Sequence, residues 1–358
     1  MVIRLVFEFK GNITMKSRVK RVYIPKIRAV VLVGIACILL ILLAKIASVY
    51  RSLVTETGLS PVFIFKIFFS QGVNLSSSGG RTNILILGVG GENHAGGDLT
   101  DTMMLVSFAQ DAGSTVLISL PRDIWSDMLK DKINSAYHYG EVKRAGGGMI
   151  LSRVVAEDIL GIMIHYSVVV DFAGFEKIID TLGGLDVDVQ QAFTDSLYPV
   201  SGKENDDCDG DPLLACRYQT VSFKKGRQHL EGERALVYVR SRYSPGASGS
   251  DFARNSRQQE IIAALKDRLL ETKQLFSWTE NRKLYAIAVK HIRTDLNISE
   301  IISLLKKLNQ LRINNLRQLS VSEMFIPGER TVYGDKYVLV PKDSWARVYD
   351  YIYQQLNQ

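Results

Sequence analysis

Residues 83–108 read NILILGVGGENHAGGDLTDTMMLVSF, and this stretch decides the fold class. Residues 83–88 are a short apolar run of the kind that forms a strand buried on both faces. The run breaks at a turn carrying Gly88, Gly90, Gly91, Gly96 and Gly97. Asp98 and Asp101 follow, and 103–108 reads as a second strand. A third strand, 115–120, ends at Pro121-Arg122-Asp123. Polar residues at strand ends are where open α/β sheets place their sites. The glycine turn does not fit G-x-G-x-x-G opening a helix, so it is a poor dinucleotide signature.

Downstream the chain alternates. Lys132-Ile133-Asn134 and glycines 146–148 lead into a helical pattern over 149–160, with Ile150, Val154, Ile159 and Leu160 as expected core positions. Residues 166–170 read as a buried strand, 172–182 as a helix stopped by Gly183 and Gly184, and 185–189 as a half-exposed strand. Residues 190–217 read as a long acidic loop and 218–223 as a strand. Residues 232–239 fit a helix or a strand; a short helix carrying Arg240 at its end is the preferred reading. Beyond Lys273, helices are expected over 281–292 and 299–311, a strand over 333–340, and a closing helix over 345–356. The sum predicts an α/β fold with a central mixed β-sheet flanked by helices. Residues 81–273 form the core, and 274–358 an α/β extension packed on it.

Upstream, the charge pattern speaks of topology. The chain has 358 residues and a net charge of +7, unevenly spread. Residues 1–28 hold Arg4, Lys10, Lys16, Arg18, Lys20, Arg21, Lys26 and Arg28 against one acid, Glu8. Residues 29–50 are apolar apart from Lys45, which can snorkel from near one end. About 20 such residues span a bilayer as a helix. The expectation is a single-pass anchor with a cytoplasmic N-terminus and everything after it outside the membrane. A cleaved signal peptide is the alternative, but no small-x-small cleavage site follows. Residues 51–80 read as a linker, within which 62–69 (VFIFKIFF) is too short to span. A domain held outside the membrane is a poor candidate for binding nucleic acid. Cys208 and Cys216 share one loop and either close a disulfide or hold zinc; no nearby His pair supports the zinc.

The charged residues concentrate in residues 238–259, YVRSRYSPGASGSDFARNSRQQ. Arg240 and Arg242 alternate before a small-residue loop. Asp251, Arg254, Arg257 and Gln258 then open a helix, and spacings of three and four put Asp251, Arg254 and Gln258 on the face continued by Ile261, Ile262, Leu265 and Leu269. Arg254 should therefore point into protein. Buried guanidinium groups need anionic partners, and phosphate or pyrophosphate meets them with bidentate bonds. The plainer alternative is a structural ion-pair network with Asp251 and Glu260. His94, His138, His165 and His229 are scattered, no serine sits in a nucleophile-elbow pattern, and no HExxH motif appears. Asp98, Asp101, Arg122, Asp123 and Lys132, together with the arginines, suit phosphoryl transfer: carboxylates for Mg²⁺ and for the attacking hydroxyl, arginines for the developing charge.

Seven motifs, RTNILILG, LTDTMMLVS, SLPRD, KINSAY, TLGGLDVDV, LEGERALVYVRSR and SDFARNSRQQ, occur in the order found in LytR-CpsA-Psr proteins, which the chain resembles over 81–270. The resemblance implies an extracytoplasmic phosphotransferase. Such enzymes move a glycopolymer from an undecaprenyl-pyrophosphate carrier onto peptidoglycan through a phosphodiester. It puts the metal-binding Asp on Asp101 and pyrophosphate-binding arginines on Arg122, Arg240, Arg242 and Arg254. Asp123 matches the Asp of the PRD motif, and Asp251 the acid of the final motif. Lys132, Arg257 and Gln258 join the expected pyrophosphate site, and Asp101, Arg122, Asp123 and Asp251 the expected catalytic set. Many members carry a further metal-ligating Asp where this chain has Gly90-Gly91; Asp98 is the carboxylate placed to substitute, so Mg²⁺ is expected on Asp101 and Asp98. The polyprenyl tail is expected in an apolar tunnel walled by the helices at 149–160 and 258–270. The rivals are a lipid-binding regulator or scaffold without chemistry, and a lipid pyrophosphatase.

Overall fold

The computed structural model describes residues 45, 73–91, 96–111, 114–203, 205–242, 244, 251–271, 278–310 and 316–357. Apart from Lys45, which is helical and exposed, the expected membrane span lies outside these residues, as does the 62–69 stretch. No helix of the described residues is long and apolar enough to cross a membrane.

Three strands open the fold: β1 (Arg81–Val89), β2 (Thr100–Ala109) and β3 (Thr115–Ser119), followed by the short pair β4 (Trp125–Ser126) and β5 (Asp131–Lys132). Helices α1 (Ala136–Lys143) and α2 (Gly147–Leu160) lead to β6 (Tyr166–Asp171) and α3 (Phe172–Thr181). Next come β7 (Leu185–Val189), β8 (Phe193–Pro199), β9 (Tyr218–Phe223), β10 (Gly226–Leu230), α4 (Gly232–Arg240) and α5 (Asp251–Glu271). The chain ends with α6 (Trp278–His291), β11 (Ile292–Thr294), α7 (Ile298–Gln310), β12 (Leu316–Ser320), β13 (Phe325–Pro327), β14 (Leu339–Pro341) and α8 (Trp345–Leu356).

The main sheet runs β11-β6-β1-β2-β3-β12 and is mixed. β1 pairs parallel with β6 and antiparallel with β2, while β12 adds parallel to β3 and β11 antiparallel to β6. Both edges therefore come from the C-terminal part. β1 is covered on both faces, which is why its sequence is continuously apolar. Leu85, Leu87, Val89, Leu105 and Ile118 meet Val155, Ile159 and Ile352 on one face. Ile84, Phe108 and Tyr166 meet Leu75, Leu296, Ile301 and Leu304 on the other. A third cluster, from Ile179 through Val187, Phe223 and Tyr238 to Ile261, packs the α3–α5 region around the small sheet of β7 and β10.

Four expectations change. The 190–217 segment contains β8, hidden in a polar sequence but alternating its buried Phe193 and Asp195 against exposed neighbours, and paired with β9. Residues 333–340 are not a strand: a 3₁₀ turn over Arg330–Tyr333 runs into Gly334 and Asp335, both at positive φ, and only Leu339–Pro341 pairs with β13. Ile150 and Val154 are exposed, at 40% and 39%. The buried stripe of α2 is Ser152, Val155, Ala156, Ile159 and Leu160, and its phase is set by Gly147 and Gly148, which lie against α1. The end of the linker is docked: Leu75 is buried, the Ser76 amide donates to the Tyr166 hydroxyl at 2.8 Å, and Thr82 Oγ1 donates to the Ser76 carbonyl.

Candidate active site

The site begins at a β-bulge. Gly88 registers with Thr102 and Val89 with Thr100, so Asp101 is the extra residue on β2. A bulge re-aims the side chain it carries. Pro121 ends the third strand region, and Arg122 beyond it donates from Nη1 to Asp101 Oδ1 at 2.5 Å. Arg240, the last residue of α4, brings Nη2 to 3.8 Å from Asp101 Oδ2. Its guanidinium lies over the Phe172 ring at 4.3 Å and 6.0 Å from that of Tyr198. Arg242 brings Nη2 to 3.8 Å from Asp101 Oδ1 and donates to the Asp101 carbonyl at 3.3 Å. From α5, Arg254 and Gln258 are buried, and Gln258 Nε2 donates to Thr102 Oγ1 at 3.4 Å.

These residues share one cavity of about 180 Å³, lined by Asp101, Thr102, Arg122, Asp195, Tyr198, Pro199, Val239, Arg240, Arg242, Arg254 and Gln258. Four arginines face two aspartates there. Burial opposes ionisation of Asp101, but the charges of Arg122, Arg242 and Arg240 and the Arg122 hydrogen bond outweigh it and hold the carboxyl below the usual range. Asp195 Oδ2 accepts from the Arg242 backbone amide at 2.8 Å and Oδ1 from that of Leu197 at 3.0 Å, so β8 fixes where Arg242 stands. The result is a concave, preorganised anion site of headgroup size.

Of the residues expected at the site, Asp101, Arg122, Arg240, Arg242, Arg254 and Gln258 come together. Asp123 and Lys132 do not line the cavity; they pair with each other at 2.7 Å, and Asp123 Oδ2 lies 3.7 Å from Arg122 Nε, behind the site. Arg257 is buried elsewhere, donating to the Ser241 carbonyl at 2.6 Å and lying over Phe193 at 4.5 Å, so it braces the α4–α5 connection. Asp98 does not share a cavity with Asp101; it is largely exposed, with Oδ2 3.9 Å from His138 Nδ1, and it lines the neighbouring chamber. Asp251 opens α5, but its side chain lies outside the described residues. Glu260, considered as an arginine partner, accepts from the Tyr238 hydroxyl at 2.5 Å. Helix α2, expected as a tunnel wall, lines neither this cavity nor its neighbour, whereas α5 lines this one through Arg254 and Gln258. Thr102, Asp195 and Tyr198 were not expected at the site; the alternation within β8 was the available signal for the last two.

Cys208 and Cys216 form a disulfide, with 5.5 Å between Cα atoms, in the excursion between β8 and β9. That pairing removes the thiolates a zinc site would need.

Comparison with known proteins follows the same line. The LytR_cpsA_psr family profile matches residues 66–351. The polyisoprenyl-teichoic acid–peptidoglycan teichoic acid transferase TagU of Oceanobacillus iheyensis is 29% identical over 272 residues, covering 74% of this chain and 73% of the relative. The regulatory protein MsrR of Staphylococcus aureus is 33% identical over 196 residues, 53% of this chain and 50% of that one. Among solved structures, Bacillus subtilis TagV aligns with a TM-score of 0.54 and 25% identity over 78% of this chain and 99% of that one. A structure of TagT bound to LIIa-WTA shares the fold, with a TM-score of 0.52 and 20% identity over 81% of this chain and 98% of that one. On the breadth of the family match, and with the arginine-lined cavity assembled from the motifs that carry it, the chain belongs to the LytR-CpsA-Psr family.

Proposed function

We propose that this protein takes a glycopolymer from undecaprenyl pyrophosphate and joins it to a peptidoglycan sugar hydroxyl through a phosphodiester. The protein is an enzyme, a phosphotransferase of the cell wall. The observation that carries the finer reading is the single cavity on which Arg122, Arg240, Arg242 and Arg254 converge around Asp101. A pyrophosphate seated there meets guanidinium donors from three separate segments of the chain. The acceptor hydroxyl oxygen bonds to the phosphorus next to the sugar, the bond from that phosphorus to the bridging oxygen breaks, and polyprenyl phosphate leaves, its newly freed phosphate oxygen taking up the hydroxyl proton directly or through water. The arginines neutralise the charge that builds on the bridging oxygen. Asp101, whose low pKa makes it a weak base, holds the arginines in register, and Asp123 positions Arg122 from behind.

A divalent cation fits this donor set modestly. Asp101 offers one carboxylate, and Mg²⁺ is commonly held by one or two carboxylates together with substrate phosphates and water. Asp98, on the neighbouring chamber, is not placed to complete the pair. When bound, the cation would screen phosphate charge beside the arginines.

The N-terminal basic and apolar sequence supports a membrane-anchored enzyme working outside the cell membrane, beside its lipid donor, and the disulfide suits that oxidising compartment. Arg240→Ala and Arg254→Ala are each expected to lower transfer by about a hundredfold or more with an unchanged circular dichroism spectrum. Full transfer by both folded variants, measured with a lipid-linked pyrophosphate donor and a peptidoglycan acceptor, would refute the assignment. Release of polyprenyl phosphate at an equal rate without acceptor would instead identify a pyrophosphatase.

A further inference from the structure

A second chamber of about 480 Å³ shares Tyr198, Pro199 and Arg240 with the arginine cavity. Its volume falls within the roughly 300–1,000 Å³ of small-molecule sites. Its charge differs in kind from its neighbour's. Asp98, Asp171, Glu176 and Glu233 face Lys177, Arg240, Lys290 and Arg293, so acids and bases balance, and Ser201 and Gln219 add neutral donors and acceptors. Balanced donors and acceptors around a concave space match an uncharged polyhydroxylated ligand, not a second anion.

One wall is built to close tolerance. His291 Nδ1 lies 2.9 Å from both oxygens of Asp171, and its Nε2 lies 3.1 Å from Lys177 Nζ. Asp171 also caps α3 by accepting from the Gly174 amide at 2.7 Å. A Cβ on Gly174 would fall 2.4 Å from His291 Cβ, so the imidazole reaches this position only because residue 174 is glycine. The Asp171–His291–Lys177 chain thus holds the Lys177 ammonium at the chamber. Glu176 is the adjacent residue on α3. Burial, then the charges of Glu233 and Asp180, push its carboxyl up.

We propose that this chamber is the acceptor subsite, taking a neutral N-acetylhexosamine ring whose hydroxyls are held by Glu176 and Lys177. The shared Arg240 wall brings the acceptor hydroxyl alongside the bound phosphate. This rests on the phosphotransferase reading for its purpose, but its binding arm stands apart from it. His291 and Asp171 are positioning residues, acting through Lys177.

The test uses the full chain in detergent micelles, titrated with chitotetraose, an uncharged tetrasaccharide of GlcNAc, and, separately, with inorganic pyrophosphate. The double variant Glu176→Gln/Lys177→Met is expected to lose tetrasaccharide affinity about tenfold or more, while pyrophosphate affinity stays near that of the wild type. Arg254→Ala is expected to do the reverse. In the transfer assay the double variant raises KM for the acceptor and not for the lipid donor, and Lys177→Arg restores part of the loss. No tetrasaccharide binding by the wild type, or an equal loss of both ligands in the double variant, overturns the subsite. Tetrasaccharide binding that the double variant loses, with no transfer by the wild type, keeps the subsite and overturns the phosphotransferase reading instead.

Discussion

Asp101 is a single carboxylate set among arginines, and its own energetics are testable. Its pKa in the fold lies below the ordinary value near 3.9. A depressed carboxyl contributes stability that is fully present above the unfolded pKa and is lost as pH falls through the folded one. Asp101→Asn is therefore expected to cost about 1–3 kcal/mol near neutral pH, because it removes the carboxylate that pairs with Arg122, Arg240 and Arg242. The gap between wild type and variant should shrink as urea melts are taken below about pH 4. A gap that stays constant into acid would show that the depression is absent. At this scale the sequence was informative about Arg240, Arg242 and Arg254, because cations spaced into an apolar stripe are drawn inward, where they must meet an anion. It said little about Asp195, a buried acid in the same segment as the exposed Asp207 and Asp209, since composition does not distinguish a solvated carboxylate from one that accepts backbone amides. His291 carries no mark in the sequence for a related reason: its partner Asp171 is distant in the chain, and only folding joins them.

Among the elements, α1 and α2 pack through glycine. A Cβ on Gly140 would fall 2.4 Å from the Gly147 carbonyl oxygen, and one on Gly147 would fall 2.3 Å from that of Gly140. Gly140→Ala gains about 1 kcal/mol of helix propensity. It must also push two backbones apart, which costs about 1–3 kcal/mol or more. Packing is expected to win, giving a net loss of stability on chemical denaturation; a stabilised variant would mean the helices are not in contact. The glycine run 146–148 was legible as a break before a helix, but its role as a contact surface was not, because close approach leaves no mark in composition. Strands β1, β2 and β3 were readable because burial on both faces demands unbroken apolar runs. β12 was not readable: LRQLS mixes charge and polarity at a sheet edge, where only one side of the strand is paired.

At the scale of the whole molecule, the sequence boundary near Lys273 does not mark a separable core. β11 and β12 are both outer strands of the main sheet, and α7 belongs to the cover over Ile84 and Phe108. A fragment of residues 73–273 is expected to partition into the insoluble fraction, with β3 and β6 laid open as bare edges, whereas residues 73–358 stay soluble. Soluble, cooperatively melting 73–273 would contradict this. The same pairing bears on biosynthesis. Leu316 registers with Thr115, so β3 meets its outer neighbour only when nearly the whole chain has been made. At a synthesis rate of about 5–20 residues per second, the nascent polypeptide waits roughly 10–40 s with that flank unguarded, long enough for a holdase to be needed at the exit site.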